Sequence, residues 1–152
     1  MNITIIDTIT DEIVAALARL LPQLDPQAAL PGRAELAEII ASPAIRLFIA
    51  RDPDAQNEIA GMLTLVLFHT PTGLHAAIED VVVDARWRGK GAGEALTRAA
   101  LAHAQAAGVR GVDLTSRPAR EAANRLYQRI GFVKRETNAY RYNFPAEDNH
   151  PC

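Results

Sequence analysis

The sequence predicts an α/β (α+β) fold, a mostly antiparallel central sheet that runs into one parallel β-α-β crossover. Three observations carry this. Apolar runs at 45–50, 59–68 and 74–84 are joined by short polar turns at 51–57 and 70–73, the pattern of two successive hairpins. An Ala-rich helical stretch at 93–107 and a short β-branched run at 112–115 follow, the order of a right-handed crossover. Of the 152 residues 49% are hydrophobic, enough for one buried core in a domain of ordinary size.

Residues 3–6 are apolar and β-branched and predict a first strand. Thr10 is placed to cap a helix, with Asp11 and Glu12 in its first turn and Ile13, Val14, Leu17, Leu20 and Leu21 as its apolar stripe. Pro22, Pro26 and Pro31 predict a loop, expected to border a ligand cleft. Leu36, Ile39 and Ile40 mark a short helix that ends before Ser42-Pro43. Gly61 inside a long strand predicts a bulge or a close backbone approach. After the crossover, Ala123, Leu126, Tyr127 and Ile130 lie at core spacing in a helix over 120–130, stopped by Gly131. Phe132 and Val133 start a strand, and Tyr140, Tyr142 and Phe144 alternate along a last one. The expected organisation is a single domain over 1–144 and a polar tail over 145–152.

A formal net charge of −2 and a pI near 6.1 give no electrostatic case for nucleic acid or an anionic membrane as partner. Cys152 is the single cysteine, so no intrachain disulfide forms. With no apolar run of bilayer length and no basic cluster before an apolar signal core, a cytoplasmic location is expected. The four histidines are scattered without ligand spacing, and no metal is expected.

The most informative segment is 78–93, where an apolar strand enters a glycine-rich turn and then a helix. Glycines let backbone approach a ligand, and the free amides of a helix start suit phosphate oxygens. Arg88 and Lys90 add positive charge. A P-loop requires Ser or Thr after Gly-Lys, and Gly91 stands there. A dinucleotide fingerprint counted from Gly89 and Gly91 requires Gly or Ala where Glu94 stands. What remains is Arg88-x-x-Gly91-x-Gly93.

This pattern resembles the Gln/Arg-x-x-Gly-x-Gly/Ala signature of the GNAT superfamily of N-acetyltransferases. The element order is similar over nearly the whole chain, and Asn124, Leu126-Tyr127 and Gly131-Phe132 resemble the family's second signature. The resemblance implies helices on both faces of the sheet and acetyl-CoA as acetyl donor. It implies that Arg88, Gly89, Lys90, Gly91, Ala92 and Gly93 hold the pyrophosphate, that Val81, Val82 and Val83 line the pantetheine arm, and that Asn124 lies near that arm. It implies direct attack by a primary amine of a small molecule or peptide, with Tyr127 as the acid for the departing thiolate; a phenol has that proton at neutral pH. Tyr127 also fits a core aromatic on its helix stripe.

Glu79 and Asp80 precede the valines. Strand alternation predicts that they face opposite ways, so only one serves a given site. A carboxylate on a central strand needs a partner or a cleft. Either could bind the acceptor ammonium or take its proton, with Glu79 preferred; a structural ion pair is the other reading. A non-catalytic acyl-CoA-binding or sensing domain on the same fold is the alternative function. The aromatic face of the terminal strand offers an edge for a homodimer.

Overall fold

The computed structural model describes residues 1–146. Its elements run β1 (Asn2–Ile5), α1 (Asp11–Leu24), α2 (Arg33–Ala41), β2 (Ile45–Asp52), β3 (Glu58–Thr70), β4 (Gly73–Val83), α3 (Ala92–Ala106) and α4 (Glu121–Ile130). The four strands form one antiparallel sheet in sequence order.

Strand alternation divides the core between two faces. Leu47, Ile49 and Met62 pack with Ile13, Leu17 and Leu20 of α1 and Leu36 of α2. Phe48, Ala50 and Leu63 pack with Leu96, Ala100 and Ala104 of α3. The fold is therefore mixed α/β with helices on both faces. The Thr10 side chain accepts from the Ile13 amide at 3.3 Å and caps α1. That helix continues through Pro22 to Leu24 instead of breaking there. In the last turn proline removes only one ladder bond, and the buried stripe has already fixed the helix.

The crossover is reduced to its minimum. Its returning segment pairs parallel with β4 at one position, Ala77 with Asp113. The Ile78 amide donates to the Asp113 carbonyl at 2.9 Å, and the Asp113 amide to the Ala76 carbonyl at 3.1 Å. Residues 112–115 thus form a bridge in place of the expected strand.

The expected strands at 132–133 and 140–144 are absent from the described residues. Tyr140, Tyr142 and Phe144 are 89%, 80% and 85% exposed, and Tyr142 and Phe144 meet edge to face. Alternating aromatics give a strand a face, but a ladder needs a neighbouring strand, and among the described residues none pairs with this segment. Residues 147–152, most of the expected tail and Cys152 with it, lie outside the described residues.

Candidate active site

The site begins with an irregularity in β4. Met62 opposes Val82 and Thr64 opposes Glu79, so β4 carries an extra residue at this point. Asp80 absorbs the bulge with a left-handed φ of 52°. Gly61 on β3 makes room for it, since a Cβ there would meet the Val82 carbonyl at 2.8 Å. The bulge breaks alternation, and Glu79 and Asp80 are both exposed and line the same cavity. The expectation that they face opposite ways fails for that reason.

Beyond Ile78 the returning segment no longer pairs with β4, and the sheet opens at that edge. Arg120 Nη2 reaches the Val81 carbonyl at 3.4 Å and Arg88 Nε the Val83 carbonyl at 3.3 Å. A cavity of about 790 Å3 follows this edge. Val81, Val82 and Val83, the turn residues Arg88, Gly89, Gly91, Ala92 and Gly93, and Tyr127 all line it. Lys90 is exposed and stands outside the lining. Asn124 is also outside it; its side-chain nitrogen donates to the Arg117 carbonyl at 3.0 Å and ties the preceding loop to α4.

Gly89 and Gly91 have φ of 77° and 85°, where a side chain would strain the backbone. Gly91 caps α3 without a side-chain bond, and the amides of Ala92, Gly93 and Glu94 have no acceptor among the described residues. No atom lies within 4 Å of a Cβ built on Gly89 or Gly91, so the turn faces open space. Free helix-start amides beside a glycine cradle and Arg88 fit a pyrophosphate. Gly93 sits instead against Leu126, 3.3 Å from an added Cβ, and lets α3 approach α4 closely.

An ion-pair anchor beneath the turn escapes a reading of the sequence. Asp84, 2% exposed, directly follows β4 and caps the short 3-10 turn Ala85–Trp87. Arg19 of α1 pairs with its carboxylate and also donates to the Ile59 carbonyl at 2.8 Å. The Arg86 amide reaches Asp84 Oδ1 at 2.9 Å, and the Gln23 side chain accepts from the Ala85 amide at 2.9 Å. Burial works to raise the Asp84 carboxyl, yet the hydrogen bonds from Arg86 and Arg19 prevail and hold it at about 2. Trp87 packs below the turn, with Nε1–H donating to Asp52 at 2.7 Å and the Arg86 guanidinium 4.4 Å from its ring centre.

Tyr127 is buried on α4, with Phe132 edge to face at 5.7 Å. Its hydroxyl has no hydrogen-bond partner among the described residues and is not among the fully buried polar atoms. Burial raises its pKa above the ordinary phenol value, against an opposing pull from Arg120. Leu24, Val81, Arg120 and Tyr127 line both this cavity and a second one of about 520 Å3, which holds Glu79 and Asp80. Among the described residues no group of acidic, His or Cys side chains could hold a metal ion, and no helix is long and apolar enough to cross a membrane.

Comparison with known proteins gives the arrangement its relatives. Over 68 residues the chain is 43% identical to a mycothiol acetyltransferase of Nocardiopsis dassonvillei, a match covering 45% of this chain and 20% of that protein. The chain thus matches about a fifth of that relative's length. A putative acetyltransferase from Agrobacterium tumefaciens superposes with a TM-score of 0.79 at 23% identity, covering 94% of this chain and 100% of its own. An aminoglycoside acetyltransferase from an uncultured soil metagenomic sample, in complex with sisomicin, gives 0.80 at 19% identity, over 95% and 96% of the two chains. At such identities the structures share the fold. With its sequence matched from the first residue of α1 to Phe132, residues 11–132, the chain belongs to the Acetyltransferase (GNAT) family.

Proposed function

We propose that the protein is an N-acetyltransferase that moves an acetyl group from acetyl-CoA to a primary amine by direct attack. The observation that carries this reading is one continuous cavity, from the amides at the start of α3, unpartnered among the described residues, along the open edge at Val81–Val83, to Tyr127. When bound, acetyl-CoA supplies an activated thioester, whose acetyl carbon bonds to the amine nitrogen as its bond to sulfur breaks.

The chain's own groups meet the remaining needs. The helix-start amides and Arg88 hold the pyrophosphate, and the valine edge aligns the pantetheine arm. A backbone amide of β4 beside the bulge polarises the acetyl carbonyl. Glu79 takes the ammonium proton at its carboxylate, directly or through water, while Asp80 helps to hold the ammonium. Tyr127 gives its hydroxyl proton to the departing sulfur and recovers one, through water, from the acylated nitrogen as that nitrogen loses its second proton. A domain that only sensed acyl-CoA would have no use for a second cavity that meets the first at Tyr127, so that cavity favours transfer.

Isothermal titration with acetyl-CoA tests the cofactor half of this reading. Gly91→Asp places a side chain and a negative charge at the turn. The expected result is tight binding by the parent and a loss of about 100-fold or more in the variant, with the fold retained by circular dichroism. Equal affinities would remove the turn from cofactor binding.

A further inference from the structure

We infer that the second cavity selects an amine acceptor that carries an anionic group, a carboxylate or a phosphate, close to its amine. The inference rests on the acetyltransferase reading and names the acceptor class for the same site. The walls of this cavity bear both signs of charge: carboxylates from Asp25, Glu79 and Asp80, and guanidiniums from Arg117, Arg120 and Arg141. Among the described residues, none of these six enters an ion pair. Elsewhere the chain pairs its arginines freely, as at Arg19, Arg51 and Arg86.

Opposite charges that share a cavity without meeting are complementary to a ligand of both signs. An acceptor with ammonium groups alone would satisfy the carboxylates and be repelled by the guanidiniums. A neutral amino sugar would leave the guanidiniums uncompensated as water leaves the site. Ser116 gives a separate indication. Ser116 is a lining residue of the same cavity, and its Oγ lies fully buried behind that wall with no hydrogen-bond partner among the described residues. A buried polar atom without a partner calls for one, and rotation of this hydroxyl toward the cavity would let it donate to an anionic oxygen.

The test follows free CoA release at saturating acetyl-CoA with matched acceptors. One pair is an α-amino acid and its amide; another is an amino-sugar phosphate and the unphosphorylated amino sugar; a linear polyamine stands alone. The anionic member of at least one pair is expected to show kcat/KM about 10- to 100-fold above its partner, the size of one charge-assisted hydrogen bond. Which pair responds separates carboxylate from phosphate. Arg117→Gln and, on the exposed segment after α4, Arg141→Gln should bring that ratio toward one. Ser116→Ala should lower it in part. Equal rates within both pairs, preference for the polyamine, or binding of acetyl-CoA with no acceptor consumed would overturn the inference while leaving cofactor binding intact. Absence of acetyl-CoA binding by titration overturns the reading beneath it as well.

Discussion

Tyr127 combines two properties that usually exclude each other: a ring packed in the core and a hydroxyl without a bond to the described residues. The packing fixes the ring, and the free hydroxyl is available to a ligand. Its raised pKa keeps the proton on oxygen through the neutral range, as an acid for a thiolate requires. Tyr127→Phe should lower kcat by about 10²–10⁴-fold with acetyl-CoA affinity nearly unchanged, measured by steady-state kinetics beside calorimetry. On the proposed reading the phenol acts while protonated, so the parent's rate should hold through neutral pH and fall only above the ordinary tyrosine range. A near-parental kcat in a chemistry-limited step would reduce Tyr127 to packing. At the same scale, Asn124 and Asp80 show where single residues exceed what their neighbours in sequence announce. Asn124 spends its amide on the Arg117 carbonyl, a partner seven positions away across a loop. Asp80 takes a left-handed φ that an Asp tolerates better than most residues but that no alternation rule predicts.

Among the elements, the glycine turn at the start of α3 is held from below. Asp84 joins the end of β4 to α1 through Arg19 and to the 3-10 turn through Arg86. Its carboxyl is held at about 2 against an ordinary 3.8, so its ionised form is the one that the fold favours. That contribution, about 2 kcal/mol from the shift, is complete above about pH 4 and is lost as pH falls toward 2. Asp84→Asn should therefore lower Tm at pH 7, weaken acetyl-CoA binding, and show a smaller loss of Tm on acidification than the parent. An acid-induced decline identical to the parent's would show that the carboxylate contributes nothing specific. The local parts of this assembly are legible in the sequence: β1 to β4, the Thr10 cap, the apolar stripe of α1 and the glycine turn all follow from near neighbours along the chain. The anchor joins residues 65 apart, and only folding reveals it. The C-terminal aromatics err in the other direction. Their alternation is legible, but the neighbouring strand that alternation presupposes is missing among the described residues.

The whole molecule sets two cavities end to end. They share Leu24, Val81, Arg120 and Tyr127 as a common wall, with the glycine turn among the walls of the first and the mixed-charge side chains among those of the second. Leu96, Ala100 and Ala104 are fully buried and seat α3 on the sheet, which keeps the start of that helix beside the first cavity. The self-association expected from a terminal strand loses its strand, and the exposed Tyr140, Tyr142 and Phe144 leave a second copy as a proposal for light scattering to decide. The shared wall has a kinetic meaning. On the proposed reading, donor and acceptor can be resident together, and the acetyl group has no need to rest on the protein between them. Initial rates measured over a grid of both concentrations should give intersecting double-reciprocal lines, the mark of a ternary complex. Parallel lines, with exchange of label between acetyl-CoA and CoA in the absence of any amine, would mean that the common wall is crossed in two separate visits.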